Sequence, residues 1–196
     1  MKKYIVTITR QFGSMGRPIA RRMSEILGIE YYDRDIVDAT AKKMNLPVST
    51  VSDEEETAKN EFFNFLFPLG IESAERKDKI FQVQRSIITE LAEKESCIVI
   101  GRCSDYILKD HPNLINVYIY ASYEYRLERC VKDLNMQPEL AKKMITDVDK
   151  AREKYHWKYA KYGCMDNKDI MINTELFGVE KTAEVLANIV KEKFYD

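Results

Sequence analysis

Two kinds of apolar run alternate along this chain. Tyr4-Ile5-Val6-Thr7-Ile8-Thr9 is apolar and β-branched, the pattern of a strand buried in a sheet. Ile19, Met23, Ile26 and Leu27 then recur at helical spacing, and Gly28 marks the helix stop. Ile29-Glu30-Tyr31-Tyr32 predicts a short second strand, and Ile36, Val37, Thr40, Ala41 and Met44 trace the next helix. The stripe Ile80, Phe81, Gln84, Ile87, Ile88 and Leu91 predicts a helix from about Lys77 to Lys94, and Cys97-Ile98-Val99-Ile100 a third strand. Asn116-Val117-Tyr118-Ile119-Tyr120-Ala121 reads as a strand, with Ser122 capping a helix that turns Leu127, Cys130, Val131 and Leu134 inward. After Pro138 a long helix carries Leu140, Met144, Ile145, Val148 and Ala151 on one side. Asp169 to Asn173 predicts the last strand and Val179 to Phe194 the last helix.

Strands alternating with helices imply an α/β chain: a parallel sheet in a three-layer α/β/α sandwich. Residues 45–75 share no single period. Pro47, the acidic run Asp53 to Glu56 and the cluster Phe62, Phe63, Phe65 and Phe67 fall there. The acidic run suits a solvated helix start, and the phenylalanines suit a small helical insert, a cover over a ligand or a homo-oligomer contact. The reading is therefore one domain over 1–196, with a core of 1–44, 76–136 and 167–196. The insert at about 45–75 and a segment at about 137–166 project beyond the sheet's carboxyl edge.

The first strand runs straight into Arg10-Gln11-Phe12-Gly13-Ser14-Met15-Gly16-Arg17-Pro18, a glycine-bearing turn at a helix start. Unpaired amides there, with the helix dipole behind them, favour an anion, and Pro18 suits the first helical position. Gly13 and Gly16 let the backbone wrap that anion, while Arg10 and Arg17 add charge at the rim. The turn reads as a phosphate cradle, or else as a glycine turn of some other α/β protein. It is not a P-loop by its signature. Aligning Gly16 with the second glycine puts Gln11 at the first, Arg17 at the lysine and Pro18 at the hydroxyl residue. Arg17 keeps the charge as a planar fork, and magnesium is left to the hydroxyl of Ser14 or Thr9.

Further candidates stand at strand ends, where open α/β sheets bind ligands. Asp33 and Arg34 follow the second strand; Asp33 serves as a helix cap, a substrate contact or both. Arg102, after Gly101, grips a phosphate or a base edge, or faces solvent from a turn. Arg126 and Arg129 lie one turn apart and can point at one anion. Asp149, Arg152 and Tyr155 or His156 share a helix face, Asp149 being spaced to orient Arg152 or to make a surface ion pair. Tyr155, His156, Trp157, Tyr159 and Tyr162, interleaved with lysines, suit a mobile cover over one nucleotide.

A formal net charge of −1 over 196 residues argues against nucleic-acid polymers as partners. Four cysteines without metal-ligand spacing suit reduced thiols, with Cys97 and Cys130 in the core. No apolar run approaches membrane-spanning length and no signal peptide is evident, so a cytoplasmic protein without a membrane partner is expected.

The order Ile-Thr-Arg-Gln-Phe-Gly-Ser-Met-Gly-Arg (8–17), Tyr-Tyr-Asp-Arg-Asp (31–35), Val-Ile-Gly-Arg-Cys (99–103), Asp-x-x-Arg-x-x-Tyr (149–155) and Ile-Met-Ile-Asn-Thr (170–174) resembles the cytidylate kinase-like family over almost the whole chain. The resemblance implies a P-loop kinase fold with a five-stranded parallel sheet, a helical monophosphate-binding insert and a lid. It puts Gly13, Ser14, Gly16 and Arg17 on the phosphate loop, so ATP's phosphates, with Mg²⁺, are expected along Gly13, Ser14, Met15, Gly16, Arg17 and Pro18, and the Ser14 hydroxyl is the expected metal ligand. Asp33, Arg34 and Arg102 fall on the monophosphate side, and Asp149 and Arg152 on the arginine-bearing lid. From those roles Asp149 is expected beside the substrate, orienting Arg152, and Arg17, Arg126 and Arg152 are expected to carry the charge of phosphoryl transfer. Cytidylate kinases proper have Gly-Lys in the loop and Asp-Gly-Arg-Asp after the third strand; this chain has Gly16-Arg17 and Ile100-Gly101-Arg102-Cys103. Three functions stay open on these residues: a nucleoside monophosphate kinase, a catalytically silent nucleotide-binding regulator, and a kinase of a small non-nucleotide metabolite.

Overall fold

The computed structural model describes residues 2–43 and 74–195; of these, the side chains of residues 34, 37, 41 and 74–77 are outside the description. The chain runs β1 (Ile5–Arg10), α1 (Gly16–Leu27), β2 (Glu30–Tyr32), α2 (Arg34–Lys43), then α3 (Ala74–Lys94), β3 (Cys97–Ile100) and the short α4 (Ser104–Ile107). β4 (Leu114–Tyr120), α5 (Tyr123–Lys132), α6 (Pro138–Ala160), β5 (Ile170–Asn173) and α7 (Thr174–Phe194) follow. The five strands form one sheet in the order β2-β3-β1-β4-β5, every pair parallel.

The sheet is buried on both faces, as its uninterrupted apolar strands require. Val6, Ile8, Ile98, Ile100, Val117 and Ile119 pack with Ile19, Ala20 and Met23 of α1 and Ala183, Leu186 and Val190 of α7. Ile5, Cys97 and Val99, alternating to the other face, pack with Ile36 of α2 and Ile87, Ile88 and Ala92 of α3. A third cluster joins Phe12 to Cys130 of α5 and to Ala141, Met144, Ile145 and Val148 of α6. That cluster seats the two helices beside the β1–α1 turn.

Most boundaries follow the apolar pattern. Gly28 closes α1, its N–H donating to the Ser24 carbonyl, and the Ser122 hydroxyl accepts from Tyr125 N–H at the start of α5. Two differ. α1 begins at Gly16 with Met15 as a left-handed N-cap (φ 62°), so Pro18 is its third residue and not its first. The missing N–H still falls in the first turn, where amides have no helical acceptor. α7 begins at Thr174, capped by the Asn173 side chain, and kinks at Gly178, so the stripe from Val179 is its second part. The expected insert at 45–75, with Phe62 to Phe67, falls almost wholly outside the described residues. No helix among the described residues is long and apolar enough to cross a membrane.

Candidate functional site

Two parallel strands lying side by side, β1 and β3, end in turns that face one another. After β3 the chain takes three left-handed residues in a row: Gly101 (φ 69°), Arg102 (φ 58°) and Cys103 (φ 53°). For the two non-glycine residues that geometry costs of order 1 kcal/mol each, the kind of strain that collects at ligand-binding turns. At Gly101 a side chain is also excluded by space, because a Cβ would lie 2.7 Å from Arg10 Nη1. Arg10, the last residue of β1, therefore lies across the bare Gly101 backbone.

These turns enclose a cavity of about 60 Å³ lined by Arg10, Arg102 and Arg152, with Asp33, Thr9 and His156 among its other walls. That is room for a few water-sized groups, such as one tetrahedral oxyanion. Asp33 is the counter-charge. Its carboxylate accepts from Arg17 Nε at 2.5 Å and lies 3.8 Å from Arg10 Nη2. Burial alone would push this carboxyl up, but Arg10, Arg17 and Arg102 together hold it below its ordinary value. Among the described residues the cations lining the cavity outnumber it. Burial, then the neighbouring Arg152, push Arg10 down to about 9. An arginine keeps its proton in a protein, so that figure reflects first the cost of burying the charge and then the neighbouring cations, both of which a bound anion would offset. Arg152 is likewise held down by burial, against the opposing pull of Asp149 and Asp33, and its Nη1 donates to the Arg10 carbonyl at 2.9 Å.

The β1–α1 turn forms the adjoining part of the site. Gly13 (φ 77°) and Met15 are both left-handed, an arrangement that turns successive N–H groups to one side. Among the described residues, the amides of Gly13, Met15 and Gly16 have no protein acceptor. They meet the helix N-terminus in a concavity suited to an anion. At Gly13 a Cβ would lie 2.9 Å from both the Arg126 carbonyl and Cys130 Sγ, so a side chain there would push α5 off the turn.

Not every residue singled out in the sequence faces this space. Asp33, Arg102 and Arg152 share the cavity, and Arg17 reaches its edge through Asp33. Arg10, expected at the rim, stands in the cavity wall with its side chain only 10 % exposed. Its apolar neighbours in β1 gave no sign of this, because the signal is its contact with Gly101 across the sheet. Arg126 and Asp149 do something else. Arg126 Nη1 donates to Asp149 Oδ2 (2.6 Å) and the Phe12 carbonyl (3.2 Å), and Phe12 N–H donates to Asp149 Oδ1 (2.7 Å). The pair grips both main-chain groups of Phe12, with Asp149 pushed up by burial against the pull of Phe12 N–H, Arg152 and Arg126. Arg129 pairs with Glu128 and Asp133, so it does not join Arg126 on one anion.

The hydroxyl of Ser14 is fully buried and donates to the Gln11 and Ile119 carbonyls (2.9 and 3.2 Å). It does not fit the magnesium role, and the described residues hold no cluster of acidic, histidine or cysteine side chains that would take a metal. Pro18 is exposed on α1. Arg34 opens α2, and its side chain is outside the description. The aromatic patch is divided: Tyr155 and His156 line the cavity, whereas Trp157 is 53 % exposed. Tyr159 stacks on Phe81 with ring centroids 3.9 Å apart.

Solved structures share this architecture. An uncharacterized protein from Eubacterium ventriosum ATCC 27560 matches at 24 % identity and a TM-score of 0.73, over 96 % of this chain and 99 % of that one. The shikimate kinase from Acinetobacter baumannii, in complex with shikimate, matches at 16 % identity and a TM-score of 0.55, over 98 % and 96 % of the two chains. A gluconokinase from Sinorhizobium meliloti 1021 matches at 13 % and 0.50, over 99 % and 98 %. At these identities the likeness establishes the P-loop kinase fold. A search of curated protein sequences finds no match. The model of the cytidylate kinase-like family matches residues 5–176, from β1 through the start of α7, and the chain belongs to that family.

Proposed function

We propose that this chain transfers the terminal phosphoryl group of ATP to a nucleoside monophosphate, with a cytidylate-type acceptor favoured. The observation that carries the reading is the cavity in which Arg10, Arg102 and Arg152 meet the carboxylate of Asp33, next to a turn whose Gly13, Met15 and Gly16 amides have no acceptor among the described residues. Two anion sites side by side are what phosphoryl transfer between two phosphates requires. Family membership supports a kinase.

In this reading ATP's terminal phosphates rest on the amides of Gly13, Met15 and Gly16 at the start of α1. The acceptor's phosphate enters among Arg10, Arg102 and Arg152. Asp33 holds Arg10 and Arg17 in place, and the guanidiniums neutralise charge as it builds on the transferred group. No general base is needed, because the acceptor phosphate is already an anion at neutral pH. Arg126 and Asp149 act by fixing the turn. Residues 137–166 serve as the lid and 45–75 as the acceptor insert. Four buried, unpaired thiols support a reducing, cytoplasmic setting.

A second reading has its own observation. Arg17, which stands at the lysine position of the loop, is committed to Asp33, and the Ser14 hydroxyl is turned inward. Both suit a protein that binds ATP without turning it over. Purified protein with ATP, Mg²⁺ and a panel of monophosphates separates the two. ADP formation stimulated by CMP, UMP or dCMP is the expected result. Tight ATP binding with no ADP under any acceptor overturns it in favour of the silent module, and stimulation by non-nucleotide acceptors alone moves the acceptor class.

A further inference from the structure

Behind the arginine cavity lies a buried ionic cluster that the proposed chemistry does not use. Asp105, on α4 just past the left-handed turn, is 1 % exposed. Its carboxylate faces His156 Nε2 of α6 at 3.0 and 3.1 Å and pairs with the Lys168 ammonium, whose side chain is 1 % exposed. The other ring nitrogen, Nδ1, lies 2.9 Å from the Tyr162 carbonyl. A carbonyl and a carboxylate only accept, so both ring nitrogens donate and His156 is an imidazolium. One carboxylate thus ties α4 to the lid helix and to the segment that returns from it to β5.

The cluster's position along α6 gives it a consequence. Asp149 pins α6 to the Phe12 peptide, and His156 pins it to Asp105 two turns later. Arg152 lies between the pins, three residues from one and four from the other, and lines the cavity together with His156. We infer that Asp105, acting through His156 and Lys168, is a positioning residue that holds Arg152 in the anion cavity, and that the hold is released when His156 loses its proton. The inference rests on the proposed anion site only for its functional consequence.

Burial opposes the charge on His156, but the Asp105 hydrogen bond, the Asp105 charge and the Tyr162 carbonyl outweigh it and raise the imidazole above its ordinary 6.5. A folded value above the unfolded one means the contribution is complete below about 6.5 and is lost as pH rises through the folded value. Loss of the Nε2 proton leaves a lone pair facing both Asp105 oxygens, so the ring or the carboxylate must move. The groups around the imidazole are Asp105 of α4, Lys168 and Tyr162 of the return segment, and, on the cavity wall, Arg102, Arg152 and the buried thiols of Cys103 and Cys164. Asp105 stays ionised throughout: burial pushes it up, and His156 and Lys168 together hold it below its ordinary range.

The chain has only two histidines, His111 and His156, which makes a ¹⁵N NMR titration readable. In the ligand-free protein, the expected result is that His156 titrates above 6.5 and that the Arg152 Nε signal, assigned by its loss in Arg152→Lys, moves with the same midpoint. Asp105→Asn should lower that midpoint and shift the Arg152 signal at acid pH. Sulfate, whose charge is constant across this range, should bind about fivefold more weakly above the midpoint than below it, the low end of measured site–site couplings. An Arg152 signal that stays flat while His156 titrates overturns the inference, and needs no variant to fold. So does sulfate binding that is the same on both sides of the midpoint. Sulfate failing to bind at any pH, while Arg152 still follows His156, sinks the anion site and upholds the positioning.

Discussion

Asp33→Asn keeps the shape of the side chain and removes a carboxylate that faces both Arg10 and Arg17. Breaking a buried ion pair from one side costs about 3 kcal/mol, and urea unfolding should show a loss of that size. The pH dependence has a sign. Because the folded Asp33 carboxyl lies below its ordinary value of 3.8, its contribution is complete above that value and drains as pH falls through the folded one. The acid limb of the wild-type stability curve should therefore be steeper than that of Asp33→Asn. Gly101→Ala tests the neighbouring contact: its Cβ would displace Arg10 Nη1, and the left-handed backbone adds about 1 kcal/mol. The acceptor's KM should rise several-fold with little change in that for ATP; equal changes in both would remove Arg10 from the acceptor side. At this scale residue types were legible and partners were not. A charged residue after a strand announces itself, so Asp33 and Arg102 were visible from local pattern, as Arg152 was from the helix face it shares with Asp149. Arg10 and the Arg126–Asp149 pair depend on which side chain crosses from another element, and spacing along one helix carries no such information. Asp149 was spaced to hold Arg152 three residues on, yet it holds Phe12 N–H, 137 residues away in the chain.

Helices and strands were easier to read than their junctions, for a physical reason. Apolar periodicity records burial, which a whole helix averages over several turns, whereas an end is decided by one cap. Met15, a left-handed N-cap without a side-chain acceptor, carries no sequence signal, and so α1 starts two residues before the proline that was expected to open it. The grip of α5 and α6 on the β1–α1 turn belongs to this scale as well. Asp149→Asn leaves Arg126 buried with a neutral partner and weakens the acceptor of Phe12 N–H. We expect a loss of about 2–3 kcal/mol in unfolding free energy. ATP's KM should rise more than the acceptor's, since Phe12 precedes the amides of Gly13, Met15 and Gly16. An unchanged KM for ATP would show that the grip serves stability alone.

Across the whole molecule the sheet order puts β1 at the centre, between β3 and β4, so both glycine-bearing turns open at one edge. The alternation of elements was enough to infer a parallel sheet, because a parallel pair needs a crossover and the helices supply it. It could not say that Arg10, Arg17, Arg102 and Arg152 converge on Asp33, a charge surplus among the described residues that exists only once the strands are stacked. On the proposed function, that surplus should make the folded chain more stable with an anion than without. Ligand at a hundred times its Kd adds about 2.7 kcal/mol, and for a chain of this size each kcal/mol raises Tm by about 2–4 °C. CMP at that saturation should thus raise Tm by roughly 5–10 °C, while cytidine, which has the base but no phosphate, should leave it within about 1 °C. Arg102→Ala should lose most of the CMP shift and keep the shift due to ADP, because the proposed function puts the two anions at different turns. If cytidine stabilises as well as CMP, the base is what the protein holds and the guanidinium cavity is not where the acceptor binds.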